Sequence, residues 1–303
     1  MRRRTLAAAV ATALALVACQ RDEPATRVPD EATITIASFD FDESELAAEL
    51  YAGALRAAGF EVRHIRRVGA REVVLPALER GLIDLVPEYA GSALEFLGGH
   101  ASADRRATHE ALRLALGPRG IEPLTGARAQ SRNGLVVTTQ TATDHALRTI
   151  SDLRALAPEL TLGGPPECPQ RELCLPGFAE TYGLDFESFL PLDSGGPITA
   201  EAVQRGTVDV GVLFTSDGSL AEHDLVLLED DRRLQPAENL TPLVRRDALA
   251  RFGPTMVEVL DAVSAALTTE ELRRLNASGR TGVPPSRAAA VWLAEKGLGP
   301  DPG

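Results

Sequence analysis

The chain has 303 residues, 44% of them apolar and 24% charged. That is enough to bury one large core or two modest ones, and it excludes disordered, collagen-like and coiled-coil chains. The formal charge is −12, and loss of residues 1–18, which carry Arg2, Arg3 and Arg4 and no acid, makes it more negative; such a surface repels phosphate backbones, so no nucleic-acid partner is expected.

Arg2-Arg3-Arg4 precedes an uncharged run over 5–18 and then Cys19. This is the layout of an export signal whose apolar segment is too short to span a bilayer. Leu16-Val17-Ala18-Cys19 resembles a bacterial lipobox, which implies lipidation of the Cys19 sulfur and cleavage before it. An ordinary signal peptide with a chance cysteine, or a buried helix, is the alternative. The polar, Pro-containing stretch that follows fits a tether, so residues 1–18 are expected as signal peptide and 19–32 as flexible tether. The expected location is extracytoplasmic, at the membrane through lipidated Cys19. Cys168 and Cys174 lie close together in a Pro-rich loop. Outside the cytosol such a pair is most simply a disulfide, and metal binding would need more ligands at short spacing.

In chain order, 33–37 reads as a strand, and 44–58 as a helix that stops at Gly59. Residues 60–65 form the next strand, 70–80 a helix ended by Gly81, 82–86 a strand, and 92–97 the start of another helix. Such alternation predicts a largely parallel sheet covered by helices. A second unit begins near Gly134, with strands over 135–139, 160–162, 188–192 and 208–214 and a helix over 199–205. After an extended segment over 240–244 only helices remain, over 255–267, 270–276 and 286–296. The economical arrangement is two α/β lobes with two chain crossings, 33–134 and 241–303 forming lobe 1 and 135–240 lobe 2. Ligands of such folds sit at the C-terminal ends of strands, in the crevice between lobes.

Four stretches together resemble the substrate-binding proteins of osmoprotectant ABC importers. They are residues 34–44, residues 69–92 with Asp84-Leu85-Val86-Pro87-Glu88-Tyr89 at their centre, residues 195–218 from Gly195-Gly196-Pro197 to Phe214-Thr215-Ser216-Asp217-Gly218, and residues 230–242. The resemblance spans roughly residues 33–295. It implies an α/β, two-lobed periplasmic-binding-protein type II clamshell, with a quaternary amine such as glycine betaine, choline or carnitine in the cleft. Implied partners are an ABC permease and ATPase; the chain itself is expected to be monomeric and to need no cofactor.

A quaternary ammonium has no N–H to donate, so aromatic faces and a nearby anion must hold it. Tyr89, following a strand, is expected to face the crevice. Phe214 is either cleft wall or core, and one of Phe39 and Phe41 is expected at the crevice. The resemblance places Glu72 beneath the cationic head, although a carboxylate at a helix start is also favoured by the helix dipole alone. Asn133 and Thr215 are candidate donors to a solute carboxylate or hydroxyl, whereas Asp84 and Glu88 read as structural. The sequence departs from the family in its aromatic cage: it has only three tyrosines, and Tyr51 and Tyr182 fall in helical patterns.

No catalytic residue is expected. The sequence has no Gly-x-Ser-x-Gly elbow, no His-Glu-x-x-His and no phosphate loop, and its five histidines stand singly. Two alternatives to transport are a sensory lipoprotein for a different small polar solute and an enzyme on the same fold.

Overall fold

The computed structural model describes residues 32–193 and 196–300; the export signal, Cys19, most of the tether and Gly195 lie outside those residues. The chain begins with β1 (Thr33–Ala37), α1 (Asp42–Ala57) and β2 (Glu61–Ile65). Leu46, Leu50, Tyr51 and Leu55 give α1 its buried stripe. Gly59, at φ +89°, turns the chain out of the helix in a conformation side chains resist. Then follow α2 (Arg71–Glu79), β3 (Leu85–Tyr89), α3 (Ala90–Phe96), α4 (Arg105–Leu116) and β4 (Ile121–Pro123). The second unit comprises β5 (Asn133–Thr138), α5 (Thr139–Asp144), β6 (Thr161–Gly164), α6 (Leu175–Tyr182) and β7 (Ser188–Pro191). It continues with α7 (Pro197–Gln204), β8 (Val210–Phe214), α8 (Ser219–Glu222) and β9 (Leu225–Leu227). Last come β10 (Leu240–Arg245), α9 (Arg246–Ala266), α10 (Thr269–Arg280) and α11 (Pro285–Glu295).

Two five-stranded sheets result, in the orders β2-β1-β3-β10-β4 and β7-β6-β8-β5-β9. β1 pairs in parallel with β2 and β3, and β6 with β7 and β8, as strand-helix alternation requires. β10 is antiparallel to both β3 and β4, and β5 to both β8 and β9. These two strands are entered by a crossing between sheets rather than over a covering helix, so the handed parallel connection does not govern them. The sheets are therefore mixed, a correction to the largely parallel expectation. The elements α4, α5, α6, α8, β4 and β9 are absent from the sequence pattern, and the third strand begins three residues later than expected. Asp84, just before β3, is fixed instead as a side-chain clamp: its carboxylate accepts from the Thr35 N–H at 2.9 Å and bonds Arg251.

Both faces of the first sheet are covered. Tyr51, Leu260 and Trp292 pack on one side, and Leu75, Leu78, Leu112 and Leu116 on the other. Burial on both faces takes polar side chains inside as well: Thr35 of β1 and Glu88 of β3 are buried along with Ile34, Ile36, Leu85 and Val86. The polar tips in this core are satisfied, Tyr51 Oη against Ser264 Oγ at 2.9 Å and Trp292 Nε1 donating to Glu271 at 3.0 Å. α9 is broken at Gly253 (φ +73°), beside Pro254, so the helix expected from 255 is its second segment.

The two crossings run side by side, with Gln130 bridged antiparallel to Asn239. A third connection is α10. Arg273 Nε donates to the Thr215 carbonyl at 2.5 Å and Asn276 Nδ2 to the Ser216 carbonyl at 2.8 Å. A Cβ at Gly218 would stand 2.5 Å from the Ala277 nitrogen, so only glycine permits this approach. Cys168 and Cys174 are buried and bonded to each other, with Cα atoms 5.2 Å apart.

Candidate ligand cleft

A cavity of about 670 Å³ opens between the two sheets, at the ends of β1, β3 and β8 and against α10. Tyr89, the last residue of β3, and Phe214, the last of β8, both line it. Phe41 joins them from the turn between β1 and α1, 42% exposed. Phe39 lies behind, buried, its ring stacked on Phe41 at 6.1 Å and 7° and also 5.7 Å from the Arg71 guanidinium. The crevice-facing member of the Phe39/Phe41 pair is thus Phe41, and Phe214 is wall rather than core.

Glu72 is not among the lining residues. It is exposed on the first turn of α2, while its neighbour Arg71 turns inward and binds Glu88 through two bonds of 2.8 and 2.9 Å. The carboxylate at the heart of the cleft is Glu43, on the first turn of α1. One of its oxygens accepts from the Tyr89 hydroxyl and the other from Asn276 Nδ2. Burial, then the Glu43 charge, raises the Tyr89 phenol well above its ordinary pKa, so this hydroxyl stays protonated and acts as a donor. Asn133 and Thr215 also lie off the cavity wall. Asn133 Nδ2 donates to the Leu173 carbonyl, which ties the Cys168–Cys174 loop to β5. The Thr215 hydroxyl donates to the Gln130 carbonyl and accepts from the Arg132 N–H, both at 3.1 Å, so it joins β8 to the first crossing.

Four carboxylates, Asp42, Glu43, Glu45 and Asp217, face the cavity against two guanidinia, Arg67 and Arg280. Both cations are already engaged: Arg67 bonds Asp40, Asp42 and Glu45, and Arg280 binds Glu222 at 2.8 Å and Ser219 at 2.7 Å. Asp42 and Glu45 are spent on Arg67, but the lining still carries two more carboxylates than guanidinia, and with Phe41, Tyr89 and Phe214 in it the space suits a small cation. Below it, Glu238 accepts from the Ser92 N–H and hydroxyl at 3.0 and 2.8 Å, and burial pushes its carboxyl up to about 7. Among the described residues, no group of three or more His, Cys, Asp and Glu could hold a metal ion.

Glu43 and Asn276 were not singled out from the sequence. Glu43 has the signature of any acid on a first helical turn, and Asn276 sits 233 residues away in a helix that reads as ordinary cover.

Two α/β lobes joined by paired crossings around a polar and aromatic cleft define a clamshell solute-binding protein. The chain belongs to the family described as the substrate binding domain of ABC-type glycine betaine transport systems, whose model matches residues 32–295. It is 27% identical over 268 residues to the glycine betaine-binding protein YehZ of Escherichia coli K12, covering 84% of this chain and 88% of that one. It is 24% identical to the carnitine transport binding protein OpuCC of Listeria monocytogenes, covering 80% of each. A solved structure titled as a glycine betaine/carnitine/choline ABC transporter superposes with a TM-score of 0.81 at 21% identity, over 88% of this chain and 99% of that one. The fold is that of the type II periplasmic binding proteins, as expected. Proteins of this class work outside the cytoplasm. Among the described residues no helix is long and apolar enough to cross a membrane.

Proposed function

We propose that the protein captures a quaternary-amine osmoprotectant of the glycine betaine, choline or carnitine type and delivers it to an ABC permease driven by its ATPase. The observation that carries this reading is the Glu43 carboxylate, held between Tyr89 and Asn276 in a cleft walled by Phe41 and Phe214. A methylated ammonium fits that setting, because aromatic faces and one anion replace water without requiring an N–H donor. Tyr89, Phe41 and Phe214 contact the solute and Phe39 backs Phe41. Glu43, rather than Glu72, takes the anionic role, and Thr215 and Asn133 position the wall rather than touch the solute.

Lobe 1 comprises 33–134 and 241–303, and lobe 2 comprises 135–240. Solute bridges them, and contacts made only in the closed form supply the free energy of closure. Cys19 carries the lipid anchor, the Cys168–Cys174 disulfide forms on export, the protein acts as a monomer, and it catalyses no reaction.

One observation favours a second reading. Tyr89 is the single tyrosine at the cleft, since Tyr51 is buried against Ser264 and Tyr182 bonds Asp230. A thinner cage fits a different small polar solute, captured for transport or for sensing. Calorimetric titration with glycine betaine, choline, carnitine, proline betaine, ectoine and several amino acids decides between them. Micromolar binding of any quaternary amine supports the first reading. Binding of another solute, with no heat from methylated amines, supports the second.

A further inference from the structure

A second cavity, of about 900 Å³, lies away from the cleft, where the start of α4, the first crossing and the turn after β9 meet. Arg105, Arg106 and His109 reach it from α4, Arg132 from the first crossing and Arg233 from the turn. Among the described residues none of the four arginines pairs with a carboxylate. Arg105 spends one guanidinium N–H on the Gly126 carbonyl. The Arg132 Nε–H is buried and has no acceptor at all.

The acids at the rim form no salt bridge with these donors, and the Asp104 pKa is lowered first by its backbone hydrogen bonds and only then by the charges of Arg106 and Arg233. Asp104 caps α4, accepting from the N–H groups of Arg106 at 2.8 Å and Ala107 at 2.9 Å. Asp230 accepts from the Tyr182 hydroxyl and from the N–H groups of Leu234 and Gln235, both at 2.9 Å. Glu229 is exposed. The turn wound around Asp230 also holds Arg233 at φ +58°, a left-handed conformation costly for a residue with a side chain and concentrated at functional sites. Burial, then the charge of Arg105, lowers the pKa of His109, which keeps its ring a neutral donor beside the arginines.

We propose that this cavity binds a multivalent oxyanion of the phosphate class. Guanidinium forks match the spacing of phosphate oxygens, and four guanidinia in one cavity lining without a salt-bridged carboxylate offer charged donors to such a group. The cavity exceeds a single phosphate, so the ligand carries at least two anionic groups or a phosphate on a larger body. A soluble diphosphate and a phospholipid headgroup share that chemistry. The site is distinct from the amine cleft in place and in sign of charge.

The test is calorimetric titration of the protein with inorganic pyrophosphate at low ionic strength, and co-sedimentation with vesicles of phosphatidylcholine alone or mixed with phosphatidylglycerol. Pyrophosphate is expected to bind with a stoichiometry of one, and Arg132→Gln to weaken it at least about tenfold. The exposed pair Arg106→Gln/Arg233→Gln does the same without touching a buried position, which covers a failure of Arg132→Gln to fold. A control pair, Arg205→Gln/Arg287→Gln, removes the same charge from exposed positions elsewhere and leaves binding within about twofold. Association confined to phosphatidylglycerol vesicles, and lost in the same variants, assigns the site to a headgroup. Absence of both pyrophosphate and vesicle binding, or an equal loss in the control pair, overturns the proposal. The pyrophosphate titration contains no quaternary amine, and phosphatidylcholine alone controls for capture of its choline group by the cleft, so failure of these measurements would leave the reading of the cleft intact.

Discussion

Replacing Glu43 by glutamine removes a charge from the cleft while preserving side-chain size. Methyl groups keep the nitrogen of a quaternary ammonium about 5 Å from a carboxylate oxygen, and at an effective dielectric constant of about 20 the attraction is roughly 3 kcal/mol. That corresponds to about two orders of magnitude in dissociation constant. The substitution also disturbs two hydrogen bonds, because the amide can accept from only one of Tyr89 and Asn276 through the oxygen it keeps. This second effect acts on any ligand of the same shape. The assay therefore compares choline with its uncharged isostere 3,3-dimethylbutan-1-ol in wild type and Glu43→Gln, by calorimetry near pH 7.5. Choline is expected to weaken by about a hundredfold and the isostere by less than about tenfold. A change of less than about threefold in the ratio of the two affinities would show that Glu43 is not the counter-charge.

Glu238 makes stability depend on pH. Burial raises its carboxyl from 4.5 to about 7, so between those values the folded state binds more protons than the unfolded chain and stability falls as pH rises, by about 3 kcal/mol in total. Glu238→Gln should flatten urea midpoints measured from pH 4.5 to pH 8, and parallel curves for both proteins would contradict the assignment. Gly218→Ala drives a Cβ into the backbone of α10 at Ala277 and should cost about 1–3 kcal/mol, read from the same denaturation curves. Unchanged stability would mean that α10 is not seated on the second lobe. Cys168→Ser with Cys174→Ser should cost about 2–3 kcal/mol on the chain-entropy model of a short loop, compared by thermal unfolding without reductant. Equal midpoints would show that the loop is pinned by the Asn133 and Gln235 bonds to Leu173 alone.

Local pattern carried the reading furthest where burial leaves a local mark. Gly59 and Gly81 mark helix ends by positive φ, and Asp84 and Glu88 read as structural because an acid in an apolar strand must be paired inside, as both are, with Arg251 and Arg71. Glu43 and Glu72 show where local pattern fails. Each is an acid on the first turn of a helix, each suits the helix dipole, and nothing nearby in sequence separates them. What separates them is that α10 returns to the start of α1 and puts Asn276 against Glu43, whereas Glu72 remains at the surface. The directions of β5 and β10 were hidden for a related reason, since both follow from where a crossing delivers the chain.

The place of β10 in the first sheet has a consequence for how the protein matures. β10 lies between β3 and β4, so β4 has no partner in that sheet until residues beyond 240 are available. The helices that shield one face of the same sheet, with Leu260 and Trp292 at their centre, arrive later still. The second sheet, by contrast, is built entirely from the continuous segment 133–227. A chain emerging from its N-terminus can thus complete the middle of the molecule first, while its opening strands wait with an uncovered apolar face for the last residues to appear.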